Sequence, residues 1–269
     1  LLKKNQSIIT GRPFRSPHHT VSAIALAGGG TIPKPGEISL SHNGVLFLDE
    51  LPEFNRNALE VMRQPLEDRE VTIARIHGKY VYPAGFMLVA ARNPCPCGMY
   101  PDLNKCTCSY RQIRQYNAKI SRPLLDRIDI NVNVQKVAYE DLLGTKKAET
   151  SAQIRKRVLA AQKIQRERYR SESFHFNSQL DGRRTQKYIK LGSAEEAMIR
   201  DVFEETDLSA RGYNRVLKIA RTIADLDGSP EIREIHLKEA LFFRYQNLLE
   251  DGETGRSRSY GKGAFGYGA

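Results

Sequence analysis

Val45 to Leu48 form an uninterrupted apolar run that ends on two adjacent acids, Asp49 and Glu50. Nothing polar alternates within it, so the segment suits a strand covered on both faces, as inside a parallel sheet. This feature constrains the fold most, because parallel strands need crossover connections and therefore alternate with helices. Acids at the carboxyl end of such a strand also stand where open α/β sheets take their ligands.

The first half of the chain follows that pattern. "TVSAIALAG" predicts a short helix that stops at Gly28, Gly29 and Gly30. "TIPKPGEISLSHNG" predicts a hairpin or loop insertion, with turn residues at Pro33, Pro35 and Gly36. Phe54, Ala58, Val61, Met62 and Leu66 are spaced as one helix that Pro65 bends or ends. "EVTIARIHGKYVYPAG" predicts a hairpin turning at His77 and Gly78, with a basic tip of Arg75, His77 and Lys79. "FMLVAARNP" predicts a second buried strand ending on Asn93, and "SRPLLDRIDINVNV" runs into a third.

From about residue 138 strands disappear and amphipathic helices take over. In "SAQIRKRVLAAQKIQRERYR", Ile154, Val158, Ala161 and Ile164 share a face opposite a dense basic one. The expected organisation is an α/β core over residues 1–137, a helical domain over 138–250 and a Gly- and Ser-rich tail over 251–269, expected to be disordered.

Composition narrows the partners. Lys and Arg number 42 against 31 Asp and Glu, a formal charge of +11 that favours polyanions such as nucleic acid or nucleotide phosphates. No run approaches the roughly 20 apolar residues of a membrane helix. "LLKKNQSIIT" has no apolar signal core, so a cytoplasmic protein without a membrane partner is expected. The chain does not begin with Met, which leads to the expectation that it is part of a longer protein.

Several residues have the chemistry of nucleotide hydrolysis. Asp49 could hold magnesium and Glu50 could polarise a water; the plainer reading is a strand end followed by an acidic helix start. Asn93 at a strand end could orient a water, or simply form the turn before Pro94. Arg127 in "PLLDRIDI" could neutralise developing phosphate charge, or pair with Asp126 or Asp129. Arg211 could reach back to a γ-phosphate or be a surface charge. Cys95, Cys97, Cys106 and Cys108 read C-P-C-x₈-C-T-C, which fits either a tetrahedral zinc or free and redox thiols. His18 and His19 are adjacent, which favours a structural or nucleotide-side role over a metal site. The basic hairpin tip suits DNA backbone contact, with a solvated turn as its alternative.

The order strand-Asp-Glu, helix, hairpin, strand-Asn, "LLDRID" and then "SARGYNRVLKIARTIADL" resembles the AAA+ ATPases of the magnesium-chelatase-like branch. "RPFRSPHHT", "GGGTIPKPGEISLSHNGVLFLDELPEF" and "LLDRIDI" resemble the ComM (YifB) family in particular, over residues 10 to 248. The resemblance implies an α/β AAA+ core with a helical lid, use of ATP and Mg²⁺, assembly into a ring (a hexamer) and work on DNA in uptake or recombination. It implies Asp49 and Glu50 as the Walker B pair, Asn93 as sensor 1 and Arg127 as arginine finger. Arg211 would be the sensor 2 arginine, with Arg215 as the second choice of register. The phosphate-binding pattern G-x-x-x-x-G-K-[ST] occurs nowhere in the 269 residues, and Arg122 stands where the family is expected to have Gly. The expectation is therefore a carboxyl-terminal part of the motor, with an incomplete core, inactive by itself. Alternatives are a chelatase-type motor acting on metal insertion or on a protein, and a non-catalytic assembly or DNA-binding module.

Overall fold

A computed structural model describes residues 10–75, 78–134, 137, 139, 149–206 and 208–250, with side chains as far as residue 244. The chain divides into two compact units, residues 1–128 and 129–269, a division earlier than the loss of strand pattern near residue 138. The first is α/β and the second helical.

The first unit is organised by a three-stranded parallel sheet ordered β1-β4-β7, with β1 at Phe14–Arg15, β4 at Val45–Leu48 and β7 at Met87–Ala90. Between β1 and β4 come α1 (Ala23–Ala27), the short antiparallel pair β2 (Gly28–Gly29) and β3 (Lys34–Pro35), and α2 (Glu37–Leu40). The Ser22 side chain caps α1 by accepting from the Ala25 N–H. Between β4 and β7 come α3 (Arg56–Glu60), α4 (Arg63–Asp68) and the hairpin of β5 (Glu70–Arg75) and β6 (Gly78–Pro83). After β7 come α5 (Tyr110–Asn117), opened by a Ser109/Gln112 capping box, and α6 (Arg122–Leu125). Leu26, Ile38, Leu46, Leu48, Ala58 and Met62 are fully buried together on one side of the sheet.

Gly44 sets the entry into β4. A Cβ there would lie 1.9 Å from the Pro13 carbonyl oxygen, which itself accepts the Val45 N–H at 2.8 Å. Gly44→Ala must therefore separate β1 from β4, and a destabilisation of about 2–3 kcal/mol is expected. Urea unfolding checks it; a midpoint equal to that of the unaltered chain would show the contact to be soft.

Several expectations need correction. β7 is not a buried strand: Met87 is 60% and Val89 39% exposed. They pair in register with Val45 and Phe47, and with Phe14 at 65% exposure they leave one sheet face largely open. β4 is accordingly sealed on the Leu46 and Leu48 side and only half-covered on the other. The segment 54–66 is two helices, and the break falls at Val61 and Met62 rather than at Pro65. Pro65 occupies the first turn of α4, where its missing N–H has no intrahelical partner to lose. α2 is a short helix inside the expected hairpin insertion. Residues 129–134 form no strand, and Ile130, Val132 and Val134 are exposed. A ladder requires a neighbouring strand, and none pairs with them among the described residues. The tail over 251–269 lies outside the described residues.

The second unit contains α7 (Ser151–Arg168), α8 (Gly182–Tyr188), α9 (Ser193–Glu205), α10 (Ala210–Leu226) and α11 (Glu234–Glu250). Its core gathers Tyr169, Phe174, Val216, Ala220, Leu237 and Ala240. Of the predicted apolar face of α7 only Ala161 is buried: Ile154, Val158 and Ile164 are exposed, and Gln165, outside that face, is buried one turn on from Ala161. What seats α7 is polar. Arg168 and Arg221 converge on the fully buried Asp225 carboxylate, joined by Asn177, which donates to it at 2.9 Å. None of the helices among the described residues is long and apolar enough to cross a membrane.

Candidate active site

Parallel strands deliver the residues beyond their carboxyl ends to one side of the sheet. β4 and β7 run in register from Val45↔Met87 to Leu48↔Ala90, so Asp49 and Asn93 both lie past the same end of adjacent strands. The backbone ties these two exits together: the Ala91 N–H donates to the Leu48 carbonyl and the Leu51 N–H to the Ala91 carbonyl, both at 2.9 Å. β1 contributes a third exit, which carries "SPHHT" and hence His18 and His19.

Asp49 and Glu50 are both exposed. One Asp49 oxygen accepts the Glu50 N–H at 2.9 Å. Glu50 is left-handed (φ 51°, ψ 47°), a conformation that costs a residue with a Cβ about 1 kcal/mol or more and turns the chain sharply out of the strand. Its carboxylate stands 3.3 Å from His19 Nδ1. His19 in turn stacks near His18, with ring centres 4.0 Å apart, and meets the edge of Phe54 at 6.4 Å. Among the described residues no group of His18 or His19 with acids makes a metal-type cluster.

On the β7 side, Asn93 is exposed. Arg92 donates to the Asn117 side chain at 3.3 Å and so anchors the segment to α5. The nearly buried Tyr116 has its hydroxyl pushed above the ordinary range by burial and by the charges of Glu53 and Glu50. His19, Tyr116 and Arg92 are the neighbours to which the sequence assigned no catalytic part. Only the histidine pair carried a signal, its two adjacent rings in "SPHHT"; the strand β1 just before it was not legible in the sequence.

Arg127 is engaged within its own unit. It donates to the Pro123 carbonyl at 2.6 Å and forms an ion pair with Glu67, and its side chain is only 13% exposed. Its Nε is buried without a hydrogen-bond partner among the described residues. The acid it pairs with is thus Glu67, from α4, rather than its sequence neighbours Asp126 or Asp129. An open cleft of about 540 Å³, lined by Glu60, Arg63, Glu67, Asp68 and Arg127, lies at this position and not at the acidic strand end.

In the second unit, Arg211 is exposed in the first turn of α10, behind the Ser209 cap. Arg215, one turn on, is mostly buried and pairs with Asp129 at 3.2 Å. At the hairpin tip Arg75 is exposed, and it also ties back to backbone: its Nε donates to the Gly30 carbonyl at 3.3 Å and Nη1 to the Ala74 carbonyl at 2.8 Å. Lys79 is exposed, while His77 lies outside the described residues.

The four cysteines form one cluster, with all four sulfurs within 4.8 Å of one another. The Met99 and Thr107 N–H groups hold the Cys97 thiol down at about 6. Although the Cys108 N–H favours its thiolate, Cys106 is pushed up to about 12 by burial and by the Cys97 and Cys95 sulfurs.

Residues 1–142 match the family described as magnesium chelatase, subunit ChlI, and residues 148–244 match the carboxyl-terminal family of the same subunit. The chain is 47% identical over 234 residues to Competence protein ComM of Haemophilus influenzae, covering 87% of this chain and 45% of that protein. It is 44% identical over 234 residues to the YifB protein of Escherichia coli, with 87% and 45% covered, and 43% identical over 235 residues to YifB of Salmonella typhimurium, with the same shares. The chain thus spans about half the length of the curated relatives it matches.

Proposed function

The chain belongs to the magnesium chelatase ChlI family, in its ComM/YifB branch, and on that premise we propose that it supplies the water-activating and sensing part of an ATP-driven motor that works on DNA. The observation that carries this reading is the placement of Asp49–Glu50 and Asn93 at one end of adjacent parallel strands. Glu50 is the group that accepts a proton from, or polarises, the attacking water, and His19 at 3.3 Å orients its carboxylate. Asn93 orients the same water. Asp49 fits a magnesium ion held partly through water, because it is exposed and one of its oxygens is committed only to a backbone N–H. Magnesium bound there supplies neutralisation of phosphate charge.

The residues present do not fit tight nucleotide binding by themselves, since no phosphate cradle with its Lys occurs in the sequence. The proposal therefore concerns a polypeptide of the relatives' length. The open sheet face of Phe14, Met87 and Val89 supports it, because parallel sheets are ordinarily covered on both sides. Arg127 acts as arginine finger in a cytoplasmic ring, a hexamer, which requires it to release Glu67. Arg211, or Arg215 after release from Asp129, acts as the sensor 2 arginine. DNA as the partner rests on the +11 charge and on the likeness to a competence protein, with Arg75, His77 and Lys79 as backbone contacts.

The test is ATP hydrolysis by a protein of the relatives' length, with and without DNA. Stimulation by DNA that weakens steeply with salt, and a loss of about 10²-fold or more in Asn93→Ala, are the expected results. Hydrolysis indifferent to DNA at low salt would turn the assignment toward a chelatase-type or protein-remodelling motor.

A further inference from the structure

We propose that Cys95, Cys97, Cys106 and Cys108 bind one structural zinc ion, and that this metal fastens the segment carrying Asn93 to the start of α5. A tetrahedral zinc with Zn–S bonds of about 2.3 Å places its sulfurs about 3.8 Å apart. The separations are 3.4 Å for Cys95–Cys97, 3.6 Å for Cys97–Cys106 and 3.8 Å for Cys95–Cys106. All four side chains converge although they come from two stretches of chain, and none is in a disulfide.

The surroundings suit thiolates. The Tyr100 N–H donates to Cys95 Sγ at 3.5 Å, the Met99 and Thr107 N–H groups face Cys97, the Cys108 N–H faces Cys106 and the Cys97 N–H faces Cys108. Each sulfur thus has a backbone donor, the outer-shell arrangement that orients metal ligands. All-sulfur donors in a compact tetrahedron select zinc over the hard, oxygen-seeking magnesium and calcium. Zinc binds the four deprotonated sulfurs, and the released protons go to solvent.

The segment needs such a fastening. Residues 91–109 contain no helix or strand, a length that is uncommon without a functional or covalent reason. Cys95 is its one member of the buried apolar set, while Leu103 is 79% exposed. With so little apolar burial, a metal cross-link replaces a hydrophobic core. One end of the segment is already held by Arg92 on Asn117, and the other by the Ser109 cap of α5. Asn93 lies between Arg92 and Cys95, so the metal fixes it from the carboxyl side. A Cβ added at Gly98, in the cluster's first turn, would stand 3.9 Å from Asn93 Cγ, so this turn runs close to Asn93.

Zinc occupancy does not depend on the ATPase reading; only the consequence for hydrolysis does. The experiment therefore uses no nucleotide. Metal analysis of the purified, reduced chain is expected to give about one zinc per molecule, and cobalt replacement the visible absorption of a tetrahedral tetrathiolate centre. Cys106→Ser is expected to reduce bound zinc at least tenfold. Hydrogen exchange after chelation should then quicken more than tenfold in 91–109 while β4 and α10 keep their protection. A folded, reduced chain free of zinc and without the cobalt spectrum would overturn the site. Unchanged exchange in 91–109, or equal loss of protection throughout residues 10–128, would overturn the local fastening.

Discussion

Asp225→Ala is expected to remove about 3–5 kcal/mol from the helical unit, the usual cost of leaving buried charge without its partner. The Asp225 side chain is fully buried, and Arg221 and Arg168 are 5% and 19% exposed. Both guanidiniums keep their protons at any ordinary pH, so losing the acid leaves two like charges in a poorly solvated place. The loss propagates because the carboxylate is a hub. Arg168 comes from α7, Asn177 from the turn after it and Arg221 from α10, while Arg221 also holds the Ser229 and Pro230 carbonyls at 2.6 and 2.9 Å. Tyr169 and Gln165 bond to the same Asn177. Asp225→Asn, which keeps the shape but not the charge, should lose less than Ala. Urea unfolding followed by helical signal measures both, and a loss below about 1 kcal/mol in the alanine variant would show the network to be dispensable.

Glu50→Gln, in a protein of the relatives' length, is expected to lower ATP hydrolysis by about 10²–10⁴-fold while leaving nucleotide binding within a few-fold. Gln keeps the size of Glu50 and tolerates the same left-handed backbone at a similar cost, so the substitution changes the charge beside His19 rather than the loop. Asp49→Ala makes the contrast: it should weaken magnesium-dependent nucleotide binding itself. Comparing nucleotide affinity with turnover separates the two acids. Turnover of the glutamine variant within threefold of the unaltered protein would remove Glu50 from the chemistry, and the reading of the strand end as a hydrolytic site would fall with it.

The acidic strand was legible because its signal is local. Four apolar residues followed by two acids need no knowledge of neighbours to be read as a strand and a ligand-side end, and α1 and the β5–β6 hairpin were legible for the same reason. Asn93 was read as a strand end; β7 stops at Ala90, and its pairing with β4 puts Asn93 past the same end of the sheet as Asp49. Misreadings arose where a pattern described an apolar face without its partner. Ile154, Val158, Ala161 and Ile164 have helical spacing, yet of these only Ala161 is buried, together with the polar Gln165. Met87 and Val89 look like interior strand residues, yet the sheet leaves them open. Arg127 was read either as an arginine finger or as an ion-pair partner of Asp126 or Asp129. The partners that Arg127 and Arg75 hold are ones sequence spacing cannot reveal, Glu67 across 60 positions and the Gly30 carbonyl across 45.

By itself the sequence carried the α/β-then-helical order and most element types, because propensity and apolar period are properties of short stretches, though not the helix α2 or the absence of a strand at 129–134. Tertiary structure decided which of them meet. Parallel pairing carried His19, Glu50 and Asn93 to one end of one sheet, and loop closure brought two Cys-x-Cys pairs to within a metal's reach. It also decided that Asp225, an ordinary acid on a helix, would hold two arginines away from water. Those outcomes depend on distance and solvent exclusion between residues far apart in the chain, and no local pattern encodes either.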